Sequence, residues 1–336
     1  VPIAAQGPGS LPKENAVSDH TEVPPVPDGS VSPRVDLVPA AQVAHSLAAP
    51  PVRDLPYRIE RVLHSSHSGG LYAAVDTRDG ARVVLKEAGP HSGPASRVAV
   101  ARLLREHEML VRLAGITGVP VVHDHFILDQ HYFLVLKRIG GAPLSQVLGE
   151  RYPWCGSAPT GHDFAEHTRW ALELHRKLAD IIGAIHARGV VHGDLHLINI
   201  LVRRDGGVAL IDFGSASGVE QRRAATLTNH GFVAPSDRTG FDLDRYVLAC
   251  LALGLFLPMT AVSRFDTGKA RELADSIAEH FPVPKPFLDH AVRIIEGTGD
   301  GSAPTWSPRR RPITLTAHRE GWQQARGALT AAIVAS

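Results

Sequence analysis

Between residues 192 and 214 the chain places two carboxylates and a carboxamide at a spacing that lets them converge on a metal ion. The residues are His192-Gly193-Asp194-Leu195-His196-Leu197-Ile198-Asn199, followed by Ile211-Asp212-Phe213-Gly214. A few hard oxygen donors suit Mg²⁺, which completes its shell with water and phosphate oxygens. The chemistry such a set can do is phosphate chemistry. Asn199 and Asp212 would hold such a cation beside a phosphate chain.

The elements needed to position these groups are legible around them. Asp205-Gly206 is a hairpin signal, flanked by the apolar runs Ile198–Val202 and Val208–Ile211. With a two-residue loop, Arg204 pairs with Gly207 and Asn199 stands opposite Asp212, their Cβ atoms roughly 5 Å apart. A bulge at Gly207 would move that pairing by one. Upstream, Tyr57–Leu63 alternates as a strand should. A small-residue turn at Ser65–Gly70 leads to a strand over Leu71–Asp76. Arg78-Asp79-Gly80 then turns the chain into Ala81–Glu87, so the expectation is an antiparallel meander. A helix is expected over 94–114, with Val98, Ala101, Leu104, Met109 and Leu113 as its apolar stripe. Strands follow at Val121-Val122 and Tyr132–Leu136, then a short helix over Leu144–Leu148. The clearest helix spans about 165–188, with Trp170, Leu174, Leu178, Ile181, Ile182 and Ile185 at intervals of three and four and Gly189 as its stop. The segment from Ser215 to about Gly240 is polar and aperiodic, and further helices are expected over 244–257, 267–280, 285–296 and 322–334. A strand-rich part thus precedes a helix-rich part.

Composition narrows the function classes. The 336 residues carry 35 Lys+Arg against 34 Asp+Glu, a formal charge of +1, so there is no electrostatic footprint for nucleic acid or an anionic membrane. The longest apolar run, Val247–Leu257, is too short to span a bilayer. Two cysteines, Cys155 and Cys250, make no disulfide framework, which fits a cytoplasmic setting. Residues 1–55, with Pro56, hold 11 of the 25 prolines and no helical or alternating period, the mark of a linker or the tail of a preceding domain. The first residue is not methionine, as expected of a piece of a longer polypeptide.

From Tyr57 on, the order of these features resembles a protein kinase over nearly the whole remaining length. The elements in order are a strand lysine (Lys86 in Val-Val-Leu-Lys), a helix glutamate (Glu106, with Glu108 nearby), the loop H-x-D-x-x-x-x-N, the D-F-G motif, an Ala234-Pro235 segment and an Asp-led apolar helix. The resemblance implies an α+β, bilobal protein-kinase-like fold, with a small antiparallel-sheet N-lobe over 56–140 and a helical C-lobe over 141–336. It implies Asp194, Lys86 and Glu106 as catalytic residues and Asn199 and Asp212 as Mg²⁺ ligands. ATP or another NTP would lie against Lys86, Gly69, Gly70, Leu136 and Arg138. His192 would buttress the loop under Asp212. Asp244, with Asp242 as the alternative, would cap or brace its own helix and brace the catalytic loop by hydrogen bonds.

Narrower stretches resemble the kinase domain of class III lanthipeptide synthetases, which join lyase, kinase and cyclase in one polypeptide. They are Ser68-Gly69-Gly70-Leu71-Tyr72, Val84–Ala88, Val191–Leu195 and Asp244–Leu251 with Phe256-Leu257-Pro258. This implies phosphorylation of Ser and Thr in a ribosomal precursor peptide, ahead of phosphate elimination, with the lyase and cyclase domains as partners. Three features depart from the kinase pattern. His64–Gly69 keeps only the last glycine of the phosphate loop. Gly193 stands in place of an arginine that reads an activation-loop phosphate, so control by such a phosphate is not expected. His196 occupies a lysine position near the terminal phosphate. Two alternatives stay open: a small-molecule kinase of the aminoglycoside or choline type, and a nucleotide-binding pseudokinase.

Overall fold

The computed structural model describes residues 55–66, 69–89, 94–155, 158–221, 234–235, 238–257 and 269–298. The expected linker over 1–55, apart from Leu55, and the expected helix over 322–334 lie outside these residues. Among the described residues no helix is long and apolar enough to cross a membrane.

The N-terminal part is a five-stranded sheet built from β1 (Tyr57–Ser66), β2 (Gly69–Asp76), β3 (Arg82–Ala88), β4 (Val122–Leu128) and β5 (His131–Lys137). Its order is β1-β2-β3-β5-β4, every neighbour antiparallel. Side chains alternate across the pleat. On β3, Val83 and Leu85 join Tyr57, Ala74, Phe126 and Val135 in a small cluster on one face, while Val84 and Lys86 point to the other. The strands reach further than the turn signal at Ser65–Gly70 implied. Ser65 pairs with Gly70 and Ser66 with Gly69, so the ladder runs through most of the expected turn. The strand expected at Val121-Val122 is also longer, because His123, Asp124 and His125 masked its alternation.

Helix α1 (Pro94–Arg112) packs on the sheet. Its buried face keeps Met109 and Leu113 of the expected stripe but not the rest. Val98 is exposed, and the inward residues are Leu103, Glu106, Met109, Leu110 and Leu113. A carboxylate sits inside that face, which a purely apolar reading of the helix passes over.

The C-terminal part is helical, with short hairpins between its helices. After β6 (Ala142–Pro143) come α2 (Leu144–Arg151) and the long α3 (Gly161–Ala187). The Thr160 hydroxyl accepts from Asp163 N–H while Asp163 accepts from Thr160 N–H, so α3 starts earlier than its apolar period does. Strand β7 (Val190–Val191) pairs with β10 (Ser217–Gly218). Strands β8 (Ile200–Val202) and β9 (Val208–Leu210) form the central hairpin, with β6 beside β8. Helices α4 (Phe241–Gly254), α5 (Lys269–His280) and α6 (Lys285–Glu296) complete the fold. The apolar run near Val247 is the buried α4. A large core runs from the inner side of α1 through α3 and α4 to α6. The bilobal α+β architecture expected from the sequence is the one observed.

Candidate active site

Lys86 faces away from the Leu85 side of the sheet and toward α1. Its ammonium lies 2.7 and 2.8 Å from the two Glu106 carboxylate oxygens and 3.4 Å from Asp212 Oδ1. Glu106 is 2% exposed, and the same carboxylate accepts from Phe213 N–H at 3.2 Å. One buried acid therefore ties the sheet, α1 and the Asp-Phe-Gly segment together. Burial alone would push the Lys86 ammonium down, but the Glu106 and Asp212 carboxylates outweigh it and hold it above the ordinary lysine range. Glu108, the competitor two residues on, is exposed.

The loop from His192 to Asn199 is braced from below by Asp244. Its carboxylate accepts from His192 N–H at 2.8 Å and Gly193 N–H at 2.9 Å, and lies 2.9 Å from His186 Nε2. Asp244 is 1% exposed and sits in the first turn of α4, not at its cap, which is Gly240. Asp242 only pairs with Arg245 on the surface. Gly193 has a φ of +73°, and a Cβ there would stand 3.1 Å from the Ser215 carbonyl oxygen. Glycine relieves both constraints. His192 is fully buried with its ring edge against Phe213 at 4.6 Å, and its Nδ1 accepts from Asp194 N–H at 3.3 Å. Burial lowers its pKa, so it stays neutral and structural.

The hairpin corrects the expected register. Ile200 pairs with Leu210 and Val202 with Val208, and Arg203 N–H donates to Gly207 O at 2.8 Å. The loop is Arg204-Asp205-Gly206, three residues long, with Gly206 at φ +75°. A turn that closes on a left-handed glycine is the standard three-residue hairpin. Asn199 therefore stands opposite Ile211, whose N–H donates to Asn199 O at 2.9 Å, and not opposite Asp212. Asp212 lies past the ladder at φ +62°, a conformation Asp tolerates better than most residues. Its Oδ1 accepts from Gly214 N–H at 3.3 Å. Burial would raise its pKa, but Lys86, the Gly214 amide and Arg102 together hold it below the usual carboxylate range.

The donor set suits a hard cation. The Asn199 amide is anchored through Nδ2, which donates to Asp194 O at 2.9 Å, leaving the oxygen end as acceptor. Asp212 stays ionised beside Lys86. The Asp194 and Asp212 carboxylates both act on the His196 ring, so the two acids and the imidazole share one neighbourhood. His196 Nδ1 accepts from Ile198 N–H at 3.3 Å, and Nε2 lies 3.9 Å from Asp194 Oδ1. Burial outweighs both carboxylates and lowers the His196 pKa.

The residues expected at the nucleotide lie on β2, β3 and β5 or, for Arg138, just past β5. Leu71 stands opposite Lys86. Gly69 crosses close to β3, and a Cβ there would come within 1.9 Å of the Glu87 carbonyl oxygen, so no other residue fits. A Cβ on Gly70 would meet the Tyr72 hydroxyl, which itself donates to Glu87. Leu136 is buried. Arg138 is exposed and its N–H donates to Arg82 O at 2.9 Å, which leaves only its carbonyl and side chain for a ligand.

The sequence reading missed Arg102. It lies four residues before Glu106 on α1, a spacing that puts both on one side of the helix and could have singled it out. It also missed the knot in which Arg78 forks onto Asp76, with His123 2.7 Å from Asp76 and Tyr57 bonded to Asp124. That knot ties β1, the turn after β2 and β4.

A family model described as a protein kinase domain matches residues 57–280. The chain is 48% identical over 253 residues to a probable SapB synthase of Streptomyces coelicolor, covering 75% of this chain and 27% of that protein. It is 31% identical over 246 residues to serine/threonine-protein kinase PknD of Mycobacterium tuberculosis, covering 69% of this chain and 33% of that protein. The chain thus spans 27% and 33% of the length of these two relatives.

Proposed function

The chain belongs to the protein kinase domain family, and on that premise we propose that it transfers the terminal phosphoryl group of ATP or another NTP to Ser and Thr hydroxyls of a ribosomal precursor peptide. The observation that carries the transfer is a set of side chains tied to one another. Lys86 is fixed by Glu106, Glu106 is fixed to the Phe213 backbone, and Asp194, Asn199 and Asp212 gather beside them. An intact set of this kind also speaks for turnover over a pseudokinase scaffold. The peptide substrate is supported by the lanthipeptide-synthetase motifs and by the 48% identity to a protein named a synthase, where the kinase PknD stands at 31%. Phosphorylation of this kind would precede phosphate elimination by a lyase domain and ring closure by a cyclase domain of the same polypeptide. Residues 1–55 would then be the linker from the preceding domain, and the reaction would be cytoplasmic.

Bound Mg²⁺ would neutralise the phosphate chain so that a hydroxyl can approach it. Asn199 Oδ1 and the Asp212 carboxylate are the groups to hold the ion. Lys86 donates to phosphate oxygens, with Glu106 holding the ammonium in place. Asp194 accepts the hydrogen bond of the acceptor hydroxyl, aligns its oxygen and receives its proton.

Asp194→Asn should lower transfer by about 10²- to 10⁴-fold while nucleotide affinity is retained. Asp212→Asn should weaken Mg²⁺-dependent nucleotide binding as well as transfer. The assay offers a leader-bearing peptide beside a panel of small alcohols. Phosphate on the alcohols alone would move the assignment to a small-molecule kinase. Normal turnover by both variants would refute it.

A further inference from the structure

Helix α1 carries a second charge on the side that holds Glu106. Glu106 is fully engaged by Lys86 and the Phe213 amide, whereas Arg102 has no hydrogen bond or ion pair among the described residues. A Cβ built on Gly214 would lie 3.2 Å from Asp212 Oδ1 and 3.4 and 3.5 Å from Nε and Nη2 of Arg102. The space beside the Gly214 Cα is therefore closely lined by both the Asp212 carboxylate and the Arg102 guanidinium edge. Asp212 Oδ1 already receives the Gly214 amide and faces Lys86, so the guanidinium is close to the carboxylate without being bonded to it. A half-buried guanidinium keeps its planar fork of donors, and its preferred partner is a group with two coplanar acceptor oxygens, a carboxylate or a phosphate. The catalytic loop offers no guanidinium of its own, since residue 193 is glycine.

We propose that Arg102 binds the phosphoryl group that is transferred, as the terminal phosphate of the nucleotide before transfer and as the phosphoserine or phosphothreonine of the peptide after it. This rests on the phosphotransferase reading given above. Arg102 then acts as a terminal-phosphate reader from α1, beside Asp212 and Gly214. A triphosphate is discriminated from a diphosphate because only the former places a phosphate over Asp212 and Gly214.

The experiment measures the affinities of the full chain for ATP and ADP, each with Mg²⁺, by titration calorimetry. It compares the native chain with Arg102→Ala and Arg102→Lys and checks folding by circular dichroism. Loss of a charge-assisted contact predicts that Arg102→Ala weakens ATP by roughly tenfold or more and leaves ADP unchanged. Arg102→Lys, which keeps the charge and the fold but not the fork, should fall between. An ATP-to-ADP ratio unchanged in both variants overturns the proposal. Equal weakening of both nucleotides overturns it too, because the residue then acts only through Asp212 or the fold. A native chain that binds neither nucleotide would sink the phosphotransferase reading first, an outcome visible before any variant is made.

Discussion

Glu106 is a carboxylate in the middle of the buried face of a helix, and it is tolerable there only because two donor groups meet it with three hydrogen bonds. Two of its contacts come from the Lys86 ammonium and one from the Phe213 amide. Removing one member of a buried pair leaves an uncompensated charge, which costs more than the pair itself contributes. Lys86→Met should therefore destabilise the chain by about 3 kcal/mol in urea titration, on top of its loss of transfer. Adding Glu106→Leu to that variant should recover part of the stability while leaving the chain inactive. A double variant less stable than Lys86→Met alone would show that Glu106 contributes through packing rather than through charge.

At the scale of elements, the catalytic loop is held by a helix far along the chain. Asp244 on α4 accepts two backbone N–H groups from the His192-Gly193 turn, and His186 at the end of α3 approaches the same carboxylate. Asp244→Ala strands the buried His192 amide and the half-buried Gly193 amide, and a buried donor left unpaired costs about 1–3 kcal/mol. The expected result is a drop of about 2–5 kcal/mol in unfolding free energy, together with a loss of transfer that raising the nucleotide concentration does not restore. Asp242→Ala removes only a surface ion pair with Arg245 and should stay within about 0.5 kcal/mol of the native chain. Equal effects of the two changes would contradict the bracing role. The hairpin shows the same dependence on local geometry. Its loop closes on Gly206 and sets Asn199 against Ile211, so Asp212 is free to turn toward Lys86.

The whole molecule carries a titration of its own. His167, His175 and His192 are packed inside the helical lobe, and burial pushes the pKa of each below the ordinary histidine value. His167 and His175 use Nε2 toward the Leu255 and Leu248 carbonyl oxygens. Because their folded pKa values are depressed, the unfolded chain binds protons more readily below about pH 6.5. Stability is complete above that pH and falls as the pH drops toward the folded values. Each histidine contributes a slope of up to about 1.4 kcal/mol per pH unit in that window. The ionised carboxylates of Asp212 and Asp76 have depressed values as well, so they add nothing until the pH is far lower. Melting temperature should decline steadily from pH 7 to 5.5. A flat profile over that range would mean that these rings are charged or exposed in the folded chain.

Much of this was readable from residue order. Lys86, Glu106, Asp194, Asn199 and Asp212 stand at the spacings that a family pattern preserves, and the α3 and α6 periods give their helices because one-sided burial leaves a repeat along the chain. Tertiary structure decided what depends on distant contacts or on one loop's length. A three-residue turn in place of two reversed which residue faces Asn199. Burial of a paired charge rotated the inward stripe of α1 away from Val98. Asp244 was separated from Asp242 only by the amides it meets across the lobe, and Arg102 gained meaning only beside Gly214. Sequence fixes what each side chain is able to do, because that is covalent chemistry. Which groups meet depends on backbone register and packing, in which one residue more or less in a turn changes every opposition beyond it.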